Sequence, residues 1–182
     1  METKRSLYRR SAEDGLLAGP ILAAAVILAG AVSYVPWLSL PALIAIAAVP
    51  TIMYITLRRG FREDGYRSTF SALWLQGICT FFFGSLLMGV AVYVSLRWIW
   101  PEFITDQMNI LMQILNDSGD ADAGQVAEAI DRMLQNGTLP TPIDIALELM
   151  YLAVFTGSLL SMLLAAIIRA GRPRTTPPPF TN

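Results

Sequence analysis

GLLAGPILAAAVILAGAVSYVPWLSLPALIAIAAVPTIMYITL, residues 15–57, runs for 43 positions without an Asp, Glu, Lys or Arg. About 20 helical residues cross a hydrocarbon core about 30 Å thick, so this stretch is read as two spans joined by a short turn. The turn falls at Ser33-Tyr34-Val35-Pro36-Trp37-Leu38-Ser39: Pro36 disfavours helix at Val35, and Tyr34 and Trp37 carry the amphipathic rings that suit a membrane–water interface. Pro41 fits the first turn of the second helix, where a missing N–H costs nothing. The spans are expected at 16–35 and 38–57, with Pro50 kinking the second.

Two further uncharged stretches follow. Ser68 to Leu96 is 29 residues, which as a helix is about 43 Å long and must tilt or protrude. Leu149 to Ile168 is 20 residues. Ahead of it, Thr141-Pro142-Ile143-Asp144 has the form of a helix start: a capping threonine, a first-turn proline and an acid three residues after the cap. The apolar run after the basic N-terminus exceeds a signal-peptide core, so the first span is expected to be an uncleaved anchor.

Composition agrees. Of the 182 residues 54% are apolar and 15% charged, against about 25% charged in soluble domains. There is no histidine and Cys79 is the sole cysteine, which excludes disulfide frameworks, zinc clusters, Ser/His/Asp triads and Cys/His dyads built by this chain alone. No cofactor is expected, and no nucleic-acid partner.

The fold class is therefore all-α: a polytopic membrane protein of four transmembrane helices with a short extracytoplasmic helical insert between the third and fourth. Its parts are a cytoplasmic basic N-terminus (1–15), a transmembrane hairpin (16–57), a cytoplasmic basic loop (58–67), the third helix (68–100), the acidic helical insert (101–142), the fourth helix (143–168) and a cytoplasmic Pro-rich tail (169–182). Orientation comes from the basic residues. Lys4, Arg5, Arg9 and Arg10, then Arg58, Arg59, Arg62 and Arg67, then Arg169, Arg172 and Arg174 all fall on one side of a four-span chain, which the positive-inside rule makes cytoplasmic. That side holds eleven basic and five acidic residues, a net +6; the other holds two and nine, a net −7. The formal total of −1 is the sum of two opposite faces. The expected location is a bacterial inner (cytoplasmic) membrane with both termini inside.

The insert has a helical rhythm. Ile104, Met108, Leu111, Met112 and Leu115 follow three-and-four spacing, as do Val126, Ile130, Met133 and Leu134, so two amphipathic helices are expected. Asn116-Asp117-Ser118-Gly119 separates them, Asp122 with Gln125 resembles an N-cap box, and Asn136-Gly137 is a natural C-cap. Their apolar faces pack on each other, lie on the membrane, or receive a partner helix. Asp117, Asp120 and Asp122 read as a solvated acidic turn, because the glycine and terminal glutamate of a calcium loop are out of register.

Several side chains are candidates for contacts. Arg97 closes the third span among Tyr93, Trp98 and Trp100, and is expected either to pair with Glu148 or Asp144 or to stay separately solvated. Small residues recur every four positions, Gly15, Gly19 and Ala23 on the first helix and Ala153, Gly157, Ser161 and Ala165 on the fourth, where they allow close helix approach within the bundle or in a homo-oligomer. Gln76, Thr80, Ser85 and Thr156 either line a polar passage or bond within their own helices. Arg58, Arg59, Arg62 and Arg67 either contact lipid head groups or only fix topology.

The sequence resembles a bacterial membrane-protein family known as domain of unknown function 4199. The resemblance rests on two N-terminal spans, the basic turn Arg62-Glu63-Asp64-Gly65-Tyr66, the exit Trp98-Ile99-Trp100-Pro101-Glu102, the Thr141-Pro142 restart and the ending Ala165-Ala166-Ile167-Ile168-Arg169. The family often has Gly-Gly where this chain has Asp64-Gly65, and Asp-Pro where it has Trp100-Pro101. The resemblance implies a topology and transfers no activity. Three functions follow in order: a non-enzymatic accessory or scaffold subunit binding another membrane protein or lipid; a small transporter or lipid-translocating subunit; and a membrane enzyme using the interfacial acids Glu148, Glu102 and Asp106.

Overall fold

The computed structural model describes residues 7–118 and 121–171. Lys4, Arg5, Asp120, Arg172, Arg174 and the Pro-rich tail lie outside the described residues. Six α-helices follow in order: α1 (Leu7–Ala31), α2 (Ser39–Glu63), α3 (Phe70–Val94), α4 (Phe103–Asp117), α5 (Ala121–Gln135) and α6 (Pro142–Ala170). A 3-10 turn (Pro36–Leu38) precedes α2, and a π-helical turn (Ser95–Ile99) ends α3. Among the described residues there is no strand. Four stretches are long and apolar enough to cross a membrane: Leu7–Ala31, Pro36–Glu63, Phe70–Ile99 and Pro142–Ala170.

Helix α1 begins nine residues before its expected start at 16 and stops before Val35. Its charged first turns are helical because Arg9 and Glu13, one turn apart, pair at 3.2 Å. Helix α2 likewise outruns its expected end at 57, with Arg59 and Glu63 paired at 2.9 Å. It stops where Gly65 (φ 63°) and Tyr66 (φ 61°) both turn left-handed. Tyr66 lacks glycine's freedom, and such a backbone costs on the order of 1 kcal/mol or more. Its amide bonds back to the Phe61 carbonyl at 2.9 Å and its ring meets the Phe61 ring edge-on at 5.4 Å, which holds it in place.

At the far end of α3 the Trp100 amide reaches the Ser95 carbonyl, five residues back, at 2.8 Å. Pro101 excludes helical backbone at Trp100, so the last turn widens there and the third span does not continue as α-helix. Helix α6 starts as the sequence reading expects: the Thr141 amide donates to Asp144 Oδ2 at 2.9 Å. In the insert, α5 is described from Ala121, which places Asp122 in its first turn and not at its cap. Gly137 (φ 65°) closes α5, with the Thr138 amide on the Met133 carbonyl at 3.0 Å.

The long helices alternate in direction. Arg10 near the start of α1 meets Glu63 at the end of α2. Gly15 and Gly19 of α1 lie against Gly84 of α3, so those two helices run parallel, while Gly89 of α3 meets Met150 of α6 and Gly77 meets Ser161, so α6 runs back. The basic segments 7–10, 58–67 and 169 thus share one end of the bundle. Helix α3 is its axis, packed chiefly on α1 and α6 and least on α2. Leu73, Phe81, Met88 and Val92 of α3 interlock with Met53, Leu57 and Ala165 in the core. The outward surface is apolar too: Leu43, Ile44, Tyr151 and Phe155 are exposed, as lipid-facing residues are.

Helices α4 and α5 form a hairpin beyond the acidic end. Ala127 and Ile130 are buried, whereas α4 buries none of its residues and Ile110, Ile114, Val126 and Met133 are exposed. One polar contact ties the hairpin to the loop after α1: Tyr34 donates its phenol proton to Asp106 Oδ2 at 2.7 Å, with Phe103 against the Tyr34 ring. The accepting carboxylate holds the phenol above its ordinary pKa. Tyr34→Phe keeps the ring and removes the bond, so amides of 103–117 should exchange with solvent about two- to fivefold faster, as expected for an exposed hydrogen bond.

Candidate functional site

The densest polar cluster sits where α1, α2 and α3 meet at the basic end. Arg10 reaches from α1 across to the last turn of α2. Its Nη2 lies 3.1 Å from Glu63 Oε2 and 3.5 Å from Asp64 Oδ1, and its Nη1 donates to the Gly60 carbonyl at 3.3 Å. A cation is favoured there because the end of α2 is the negative pole of its dipole. Glu63 also takes Arg59, so one carboxylate is shared by two guanidiniums. Arg10 Nε is buried without a hydrogen-bond partner, and the side chain is 17% exposed.

One turn deeper, Ser11 and Thr80 both donate hydroxyls to the Gln76 backbone carbonyl, at 3.3 and 2.8 Å. The Gln76 side-chain amide donates to Asp14 Oδ2 at 3.4 Å. Gly60 makes this possible: a Cβ there would lie 2.8 Å from the Gln76 amide and 3.2 Å from Arg10 Nη1. Arg10 and Asp14 stand four residues apart on α1, and Gln76 and Thr80 do so on the facing side of α3. With a helix expected only from residue 16, Arg10 and Asp14 fall before it, which hides this pairing of stripes from the sequence reading.

An open cleft of about 620 Å³ lies on one side of Arg10, bounded by Arg67, Glu63, Asp64 and Gln76. A smaller space of about 100 Å³ lies on the other, towards Glu13 and Asp14. The four arginines taken as head-group candidates divide between clefts. Arg58 stands over the Tyr54 ring at 5.7 Å and borders a second open cleft with Arg59 and Arg62. Arg67 faces the Arg10 cleft and, among the described residues, makes no ion pair.

The other candidates are placed as follows. Arg97 and Glu148 are exposed, and no ion pair within 4 Å joins Arg97 to Glu148 or Asp144 among the described residues. Asp144 instead accepts from Thr141, which keeps it at the cap of α6. The small-residue stripes face α3. A Cβ on Gly15 would come within 2.6 Å of Phe83, one on Gly19 within 2.8 Å of Leu87, and one on Gly157 would overlap the Phe81 ring. Ala23, Ser161 and Ala165 are buried, and Ala153 packs against the core. Thr80, Ser85 and Thr156 return their hydroxyls to carbonyls of their own helices, three or four residues back. No group of three or more metal-ligating side chains occurs among the described residues, and of the three turn aspartates Asp120 lies outside them.

The site can hold charge of both signs at a helix junction, and within it the Ser68 hydroxyl donates to Asp64 Oδ2. No curated protein and no solved structure shows a match to the chain. A family model does, over residues 13–170, which takes in the first span from Glu13 onward, the other three spans and the insert. The chain belongs to the family described as protein of unknown function DUF4199.

Proposed function

We propose that the protein is a non-enzymatic accessory or scaffold component of a bacterial cytoplasmic membrane, with both termini inside, binding another membrane protein or lipid. The observation that carries this reading is the set of exposed apolar residues on the α4–α5 hairpin, Ile110, Ile114, Val126 and Met133. The small-residue faces are occupied by α3, so the hairpin offers the apolar surface beyond the four spans. Its acidic flank is that of an interface whose polar rim surrounds an apolar centre.

Gentle solubilisation of the full chain from its native membrane, followed by mass spectrometry, tests the reading. A stoichiometric membrane-protein partner is expected, and Ile114→Glu should release it while leaving the monomer's thermal unfolding unchanged, because Ile114 is 60% exposed. Catalysis or flux by the pure protein in liposomes would overturn it.

A further inference from the structure

The cleft beside Arg10 is lined by two cations and two anions, Arg10, Arg67, Glu63 and Asp64, with the apolar Leu7 and Ala72 completing its wall. The two carboxylates oppose a purely anionic ligand, and the two guanidiniums oppose a purely cationic one. A ligand carrying both charges on one short link avoids both repulsions. One donor group remains available for its anionic end: Arg67 is exposed and makes no ion pair among the described residues, whereas the Arg10 guanidinium is engaged by Glu63, Asp64 and the Gly60 carbonyl. Guanidinium donors match phosphate oxygens in geometry and charge. Asp64 and Glu63 already accept from Arg10, Arg59 and the Ser68 hydroxyl, and each carboxylate oxygen keeps a second lone pair for the cationic end. At about 620 Å³ the cleft falls within the usual range of ligand sites. It opens at the first turns of α1 and α3, where two apolar spans begin.

From this mixed lining we propose that the cleft holds the head group of a zwitterionic phospholipid bearing a primary ammonium, phosphoethanolamine on a diacylglycerol. The phosphate lies on Arg67, and the ammonium lies on Asp64 and Glu63. The acyl chains pass Leu7 and Ala72 into the bilayer. This inference rests on the lipid-binding arm of the proposed function and names its head group. A quaternary ammonium has no N–H to give the carboxylates, so phosphatidylcholine is excluded by the same geometry.

The test titrates the purified full chain in detergent with dihexanoyl phosphatidylethanolamine and follows thermal unfolding. Saturable stabilisation is expected, with dihexanoyl phosphatidylglycerol and phosphatidylcholine each at least roughly tenfold weaker, the value of one lost charged hydrogen bond. Arg67→Gln should weaken the ethanolamine lipid roughly tenfold without changing unfolding in its absence, since Arg67 is exposed and its side chain makes no ion pair among the described residues. Equal stabilisation by all three lipids, or unchanged affinity in Arg67→Gln, overturns the head-group assignment. Free phosphoethanolamine saturating at the same concentration as the lipid overturns the membrane source. If no phospholipid stabilises the protein, the lipid arm of the proposed function falls as well, whereas a protein partner retained alongside failed lipid selectivity leaves the scaffold reading standing.

Discussion

Gly157→Leu should cause the largest loss of folded protein of any single substitution in the bundle. A Cβ at Gly157 would already overlap the Phe81 ring, and Phe81 is itself buried between α3 and α6. The leucine side chain has no free rotamer in that seam, so α6 must move off α3. Overpacking of a well-packed core costs about 1–3 kcal/mol, and a helix displaced along its whole face exceeds the upper end. The readouts are loss of a monodisperse peak after solubilisation and a lower unfolding temperature. Combining Gly157→Leu with Phe81→Ala should restore part of the folded fraction, because the deleted ring vacates the volume the leucine needs. A Gly157→Leu protein as abundant and as stable as wild type would show that α6 does not depend on this seam.

Arg10→Met should be the second most damaging change, for an electrostatic reason. Methionine preserves much of the aliphatic stem but leaves Asp64 without its guanidinium, Glu63 with Arg59 alone and the Gly60 carbonyl without this donor. Removing one partner of a fully buried pair costs about 3–5 kcal/mol. Here Glu63 is 43% exposed, so solvent screens part of the loss and about 1–2 kcal/mol is expected. Adding Glu63→Gln and Asp64→Asn to Arg10→Met should recover much of it by removing the stranded charges. Arg10→Lys should recover little, since one ammonium lacks the fork that reaches Gly60 and both acids together. Double-mutant cycles on unfolding in detergent measure these couplings, and additive effects would mean that Arg10 acts alone.

What was legible in the sequence was local. Four spans follow from runs of uncharged residues, the cap at Thr141 follows from an acid three residues on, and the cap at Gly137 from the adjacent Asn136-Gly137 pair. The charge asymmetry is also visible, because the arginines cluster in the connecting segments. The start of α1 was not legible, because hydropathy counts Arg9 and Glu13 as loop charges whereas their pairing lets the helix continue through them. The basic-end cluster was hidden for a different reason. Arg10, Asp14 and Gln76 become one network only when α1 and α3 lie parallel, and no short-range pattern states which helices are neighbours. The small-residue stripes were visible as stripes, but their counterparts Phe81, Phe83 and Gly84 carry no marking in sequence that singles them out. Tyr34 and Asp106 were each placed at the outer level, yet their bond depends on how the chain folds back after Pro101.

The central position of α3 sets an order on biogenesis. A chain emerging N-terminus first inserts α1 and α2 as a hairpin before α3 exists. The principal neighbour of α1 is α3, so the hairpin waits in lipid with its glycine face and its Ser11 hydroxyl unengaged. Arg10, by contrast, finds Glu63 and Asp64 as soon as α2 is complete. The ion cluster can therefore act as an early clasp that holds the first hairpin closed, and the glycine seam as the later step that admits the third helix to its place.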